Sequence, residues 1–477
     1  MPKKLKQKKE MVRSPKGMRD MLVADIRYKE KILEKAREIA EFYGFQPIKT
    51  PHLEHTELFE RPLGDASDVV EKQMYTLKTK GGDSLTLRPE GTAPIVRAYA
   101  ENGMVSWPHP VKLYYSGSFF RHENPQKGRL REFHQFGIEL LGDHDAIMDA
   151  LAIKVLYLAI TELGLKNILV HINSIGDRVC RPQYKKELTA YYRKKINYIC
   201  KDCKRRLKDN PLRLLDCKDP GCQEQKAGAP QMVDFLCEEC KTHFREVLEF
   251  LDEAGIPYTL DHNLVRGFDY YGRTVFELFL ERGAKEKGQE KEKIDAVEAK
   301  PENGAAEEPS SIALGGGGRY DELMYILGGR PLPAAGGGLG VERIIHEMKL
   351  AEISPKIPPE PKVFLIQIGP AAKKRSFMLL EEMRKAGIGV GESLSRDNLR
   401  TQLNIAAKVG AKISLILGQK EAMTDSIILR YMDEGVQETV LQKKMVERIK
   451  EKLKKMPRTA RVAALPEIKP SEPEAIS

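Results

Sequence analysis

The chain has 477 residues, 41% hydrophobic and 31% charged, with a formal net charge of +10 and a pI near 9.0. That length carries about three domains of roughly 150 residues rather than one core, and the basic excess points to a polyanionic partner. No run of about 18 apolar residues occurs and no apolar stretch follows the Lys-rich start, which argues against a membrane span or secretory signal and predicts a cytoplasmic protein.

Residues 1–10 are lysine-rich with almost no apolar side chains, the composition of a disordered basic arm. From Tyr28 to Tyr43, Ile32, Leu33, Ala36, Ile39 and Ala40 recur at helical spacing, Gly44 closes the segment, and a short extended stretch ends at Pro51. Short apolar runs at 84–88, 111–120 and 133–141, then a helical pattern from Ile147 to Leu163, set strands beside strands. This predicts an α+β fold on an antiparallel sheet rather than a doubly wound one.

Residues 176–258 are polar and helix-patterned, and read as an inserted domain dividing a core of 11–175 and 259–350. The charged segment 281–310, without aromatics, interrupts strands at 274–280 and 311–315 and reads as a disordered excursion. A linker over 351–361 leads to residues 362–455. There strands at Val363–Ile368, Ile388–Ser393, Ile413–Leu417 and Ile427–Tyr431 and helices at Lys373–Lys385 and Asp397–Val409 predict a small α/β domain. Residues 456–477 read as a disordered tail.

Four segments concentrate chemistry: Leu87-Arg88-Pro89-Glu90-Gly91-Thr92, Phe120-Arg121-His122-Glu123-Asn124-Pro125-Gln126-Lys127-Gly128-Arg129, Asn263-Leu264-Val265-Arg266-Gly267-Phe268-Asp269-Tyr270-Tyr271, and Gly317-Gly318-Arg319-Tyr320-Asp321. Taken singly, each carboxylate is more often a surface charge. Together, from about residue 11 to 455, they resemble the histidyl-tRNA synthetases, which are class II aminoacyl-tRNA synthetases.

The resemblance implies a class II antiparallel sheet flanked by helices, a helical insertion domain, a C-terminal anticodon-binding α/β domain and a homodimer. It also implies ATP with Mg²⁺, L-histidine and tRNA(His) as cofactors and partners. Joining a carboxylate to the α-phosphorus of ATP needs cations where charge grows, and Arg121 and Arg266 match the family's α-phosphate arginines. Glu123 and Phe133 match the adenine contacts, and Arg343 matches the arginine on the ring's other face and the γ-phosphate. Glu90 and Thr92 match contacts to the α-amino group. Glu139 and Tyr271, with Tyr270, Gln135 and Tyr320 in support, match those around the imidazole. Gln126, Lys127 and Arg129 fall in the loop that meets the tRNA acceptor end.

Six of the seven cysteines crowd between residues 200 and 240. Two Cys-x-x-Cys pairs suggest one Zn²⁺ on Cys200, Cys203, Cys237 and Cys240, with Cys217 and Cys222 as substitutes, although the gap exceeds the common one. Reduced thiols in a helical insert are the alternative. Two rivals to charging remain at this stage. One is a non-catalytic regulatory paralogue, which typically lacks a C-terminal domain and the catalytic arginine. The other is a nucleic-acid-binding zinc protein, which would leave the 90–343 motifs idle.

Overall fold

The computed structural model describes residues 12–63, 69–123, 130–281, 311–355 and 361–455. The arm 1–10, Gln126, Lys127 and Arg129, all but the first residue of 281–310, and the tail lie outside the described residues. The chain divides into two compact units, at Pro355 and Lys356.

The first unit is built on an eight-stranded sheet ordered Gln46–Pro47, Val111–Phe120, Glu132–Leu141, Ala334–Gly340, Ser311–Arg319, Gly272–Glu281, Ile168–Ser174, Tyr258–Leu260. Its six long strands run antiparallel, and the two short edge strands pair in parallel. Strand alternation separates a core face from a ligand face. Along Glu132–Leu141, Phe136, Ile138 and Leu140 join the main core while Gln135 and Glu139 point the other way.

Helices cover the core face. Val23–Phe42 buries Ile32, Ala36, Ile39 and Ala40, a stripe at helical spacing, and Gly44 at φ +82 turns the chain into the first edge strand. Ala146–Thr161 buries nine residues and is apolar nearly all round, because it packs between the sheet and two other helices. Asp145 caps it by accepting from the Ile147 amide, a contact worth about 1 kcal/mol. Arg319, fully buried at the end of its Gly-rich strand, bonds Asp149 of this helix at 2.6 Å, and His243 meets the same carboxylate at 3.0 Å. Removing one member would leave an unpaired buried charge, at a cost of about 3–5 kcal/mol.

The insertion contributes helices Arg181–Lys194, Lys201–Asp209 and Pro220–Lys226 around their own small core. The last helix of the expected 176–258 insert behaves differently. Glu238–Glu253 packs Phe244, Val247 and Leu251 into the main core against Ala146–Thr161, so the chain is already back on the sheet by residue 244.

The second unit has a five-stranded sheet ordered Val390–Glu392, Val363–Gln367, Ile413–Leu417, Ser426–Tyr431, Gln437–Leu441. The first three are parallel and the rest antiparallel. Strand Gln437–Leu441 and helix Gln442–Lys455 complete it beyond the elements read from the sequence.

Candidate active site

The ligand face carries a cavity of about 280 Å³ over the middle strands. Its floor is a ladder in which Gly315–Gly318 pair with Gly336–Gly338 and Leu339. These strands need glycine for proximity. A Cβ on Gly317 would lie 2.0 Å from the Gly336 carbonyl oxygen, and one on Gly336 would lie 1.9 Å from Glu139 Oε2.

At one end Glu139 is fully buried. Thr92 Oγ1 donates to Glu139 Oε1 at 2.9 Å, Tyr115 OH donates to the same oxygen at 3.2 Å, and Tyr320 OH donates to Oε2. Burial nevertheless pushes this carboxyl up to about 8, against those three hydroxyls and helped by the charge of Glu90. Glu90 accepts the Thr92 and Ala93 amides at 2.6 and 2.9 Å at the start of helix Thr92–Glu101, and Tyr270 OH reaches it at 3.5 Å. Burial raises it as well. Two desolvated carboxyls, each ringed by donors, make a pocket for a small cationic or imidazole-bearing ligand.

The other end is cationic. Arg121 follows strand Val111–Phe120, is fixed by donation from Nε to the Pro89 carbonyl at 2.8 Å, and lies over the rings of Phe133 and Phe268 at 5.2 and 5.5 Å. Its burial depresses the guanidinium, and the nearby Arg266 charge adds to this. Arg266 bonds Glu277 at 2.5 Å and lies over the Tyr271 ring at 5.5 Å. Arg343, opening helix Val341–Leu350, donates to the Ala313 carbonyl at 2.6 Å on the same wall. Arginines brought this close across a cavity favour an anion between them.

Glu90, Thr92, Gln135, Tyr270, Tyr271, Arg121, Glu123, Phe133, Arg266 and Arg343 all line this one cavity, and Glu139 and Tyr320 sit against it through the bonds above. Sequence reading missed Tyr115, Glu277 and Glu342. Glu277 carried a signal, as a carboxylate inside the apolar strand Gly272–Glu281. Tyr115 carried none, because an aromatic in a strand is ordinary core.

The cysteines separate differently from the expected set. Cys200 and Cys203 meet Cys217 and Cys222, whereas Cys237 and Cys240 meet Cys180 and Asp177. The expected quartet of Cys200, Cys203, Cys237 and Cys240 is therefore not assembled. The physical reason is packing. Cys200 and Cys203 at the start of helix Lys201–Asp209 meet Cys222 of Pro220–Lys226, whose sulfur accepts the Cys200 amide at 3.2 Å, while Cys237 and Cys240 begin helix Glu238–Glu253 beside Asp177 and Cys180, where the chain leaves the sheet.

A cavity on a glycine-floored antiparallel sheet, cationic at one end and carboxylate-lined at the other, with a separate α/β unit downstream, defines a class II aminoacyl-tRNA synthetase. The histidyl-tRNA synthetase family model matches residues 17–288 and an anticodon binding domain matches 362–452. The chain is 41% identical over 443 residues to a histidine–tRNA ligase of Dehalococcoides mccartyi, covering 93% of this chain and all of that one. It is likewise 41% identical over 426 residues to the Desulfitobacterium hafniense ligase, covering 89% and 95%. It is similar to the apo S. aureus histidyl-tRNA synthetase structure with a TM-score of 0.71 and 33% identity over 92% of this chain and all of that one. The chain belongs to the histidyl-tRNA synthetase family. As a histidine–tRNA ligase, it activates histidine with ATP, using Mg²⁺, and transfers it to tRNA. No described helix is long and apolar enough to cross a membrane.

Proposed function

We propose that histidine is read at the Glu139 end and activated between Arg121 and Arg266. The observation that supports this is the split of one cavity into a carboxylate end and a guanidinium end. Glu139 and Tyr271 take the imidazole, with Gln135, Tyr270 and Tyr320 holding them in place. Glu90 and Thr92 take the α-amino group, which turns the histidine carboxylate toward the arginines. Arg121 and Arg266 bracket the α-phosphate and stabilise the charge that develops there as the carboxylate oxygen displaces pyrophosphate. Phe133 and Arg343 sandwich the adenine, Glu123 accepts from its amino group, and Arg343 also reaches the γ-phosphate.

Glu277 and Glu342 add carboxylate oxygens to the cavity wall, donors of the kind Mg²⁺ takes. Mg²⁺ held there with the triphosphate would offset its charge, and the protein's part is to position the two anions. The loop with Gln126, Lys127 and Arg129 meets the acceptor end of tRNA(His), and the second unit meets the anticodon. The enzyme works as a cytoplasmic homodimer, and a structural Zn²⁺ sits on Cys200, Cys203, Cys217 and Cys222.

Calorimetric titration tests the assignment of the amino-acid end. L-histidine and histidinol, which keeps the ring and amine but lacks the carboxylate, should both bind the ligand-free enzyme. Glu90→Gln should weaken both at least tenfold, and undiminished affinity would remove Glu90 from the site.

A further inference from the structure

We propose that the chain holds a second Zn²⁺, at the neck of the insertion, on Asp177, Cys180, Cys237 and Cys240. The inference extends the reading of a single Cys₄ centre, yet separate residues carry it. The four donor atoms all lie within 4.8 Å of one another. Zinc–sulfur bonds of about 2.3 Å in a tetrahedron give edges of about 3.8 Å, so small adjustments close this set on an ion. A disulfide bond is about 2.05 Å, and all seven cysteines are free.

The neck is shaped around sulfur. Asp177 and Cys180 follow strand Ile168–Ser174, where the chain leaves the sheet, and Cys237 and Cys240 begin helix Glu238–Glu253, where it returns. The Asp177 amide donates to Cys180 Sγ at 3.3 Å. Gly176 has φ +62, and a Cβ there would lie 2.6 Å from that sulfur, so glycine lets the backbone fold over it. Cys180 and Cys240 are buried. The same signature of an amide donating to sulfur marks the Cys₄ cluster, where the Cys203 amide donates to Cys200 Sγ at 3.4 Å and Cys200 Sγ stands 3.9 Å from Cys217 Sγ.

Charge points the same way. Arg273 Nη2 lies 3.6 Å from Asp177 Oδ2, and Arg181 stands among Cys180, Asp177 and Cys240. With neutral thiols these two guanidiniums share Asp177, while Asp269 adds its charge near Arg181 and Glu239 reaches Arg273 only from an exposed position at 3.7 Å. Three thiolates, one carboxylate and Zn²⁺ carry two negative charges, which the pair offsets. The neck also backs the histidine end directly, because Arg181 Nη2 donates to the carbonyls of Gly176 and Tyr271, each at 2.8 Å. The ion therefore fixes the insertion to the Tyr270–Tyr271 segment.

The test is a metal count on the full chain, purified anaerobically without chelators or a polyhistidine tag, together with zinc-edge X-ray absorption. The expected result is two Zn²⁺ per chain, with an average of about 3.5 sulfur and 0.5 oxygen neighbours per ion. Cys237→Ser should remove one ion and Cys217→Ser the other. A single ion that survives Cys237→Ser, with four sulfur neighbours, overturns the neck site and leaves the Cys₄ centre standing. A single ion lost in Cys237→Ser but kept in Cys217→Ser upholds the neck site and overturns the Cys₄ centre. A wild-type ratio near zero overturns both, without recourse to variants that could misfold.

Discussion

Glu139→Gln separates the pocket's stability from its chemistry. The native carboxyl titrates at about 8 because burial outweighs the hydroxyls of Tyr320, Thr92 and Tyr115, while an unfolded glutamate titrates near about 4.3. Between those values the native state binds a proton that the unfolded chain does not, so the ligand-free enzyme loses stability as pH rises through that window and the loss levels off above about 8. One group contributes about 1.4 kcal/mol per pH unit. From pH 6 to pH 8 the wild type should therefore lose up to about 3 kcal/mol relative to a glutamine, whose amide does not titrate. That amounts to a relative shift of a few degrees in Tm. Thermal melts of both ligand-free proteins at pH 6 and pH 8.5 measure it. In pyrophosphate exchange the histidine KM of the variant should rise at least about 100-fold, since one of the two oxygens that accept from the Thr92, Tyr115 and Tyr320 hydroxyls becomes an NH2 that cannot, and the side chain can no longer become a carboxylate against the bound ring. Melting midpoints that stay parallel across the two pH values would refute the buried-carboxyl argument, and an unchanged KM would refute the role of Glu139 in the site.

Arg266→Ala should lower histidine-dependent exchange by about 10²–10³ with an unchanged melting curve, because the residue lines a cavity rather than filling a core; exchange at the wild-type rate would make it structural. Gly336→Ala puts a Cβ 1.9 Å from Glu139 Oε2 and 2.5 Å from the Ile138 carbonyl oxygen, so it should cost about 1–3 kcal/mol and raise the histidine KM, which an unaltered melt and KM would disprove. Removing residues 356–477 should depress tRNA charging far more than adenylate formation, since every residue assigned to the small substrates precedes residue 344; equal losses in a folded truncation would count against a separate tRNA-reading unit.

The sheet and its helices were legible because their periods are clean. The helix read from Tyr28 to Tyr43 is Val23–Phe42, and the run at 111–120 is a strand with those bounds. Strand Gln437–Leu441 escaped because it alternates only between exposed and half-buried residues, with no apolar face to read. Contacts made by single residues across strands, such as Tyr115 to Glu139, leave no periodic trace and need three dimensions. The cysteines are the instructive case. Spacing within each Cys-x-x-Cys is local and was read correctly, but which pair closes on which depends on how the insertion folds back. Cys217 and Cys222 lie nearer in sequence to the first pair than Cys237 and Cys240 do, and the Cys200 amide donates to Cys222 Sγ at 3.2 Å where they meet. Asp177 and Cys180 gave no signal at all, because their partners are brought to them by helix Glu238–Glu253 docking on the sheet.

Histidine-dependent ATP–pyrophosphate exchange by the purified full chain tests the central claim most directly. The account predicts incorporation of labelled pyrophosphate into ATP with L-histidine and Mg²⁺, none with other amino acids, and its near loss in Arg266→Ala. Absence of exchange with histidine in folded protein, or equal exchange with phenylalanine or glutamine, would contradict the assignment of the Glu139 end to the imidazole and of the Arg121–Arg266 pair to the reacting phosphate.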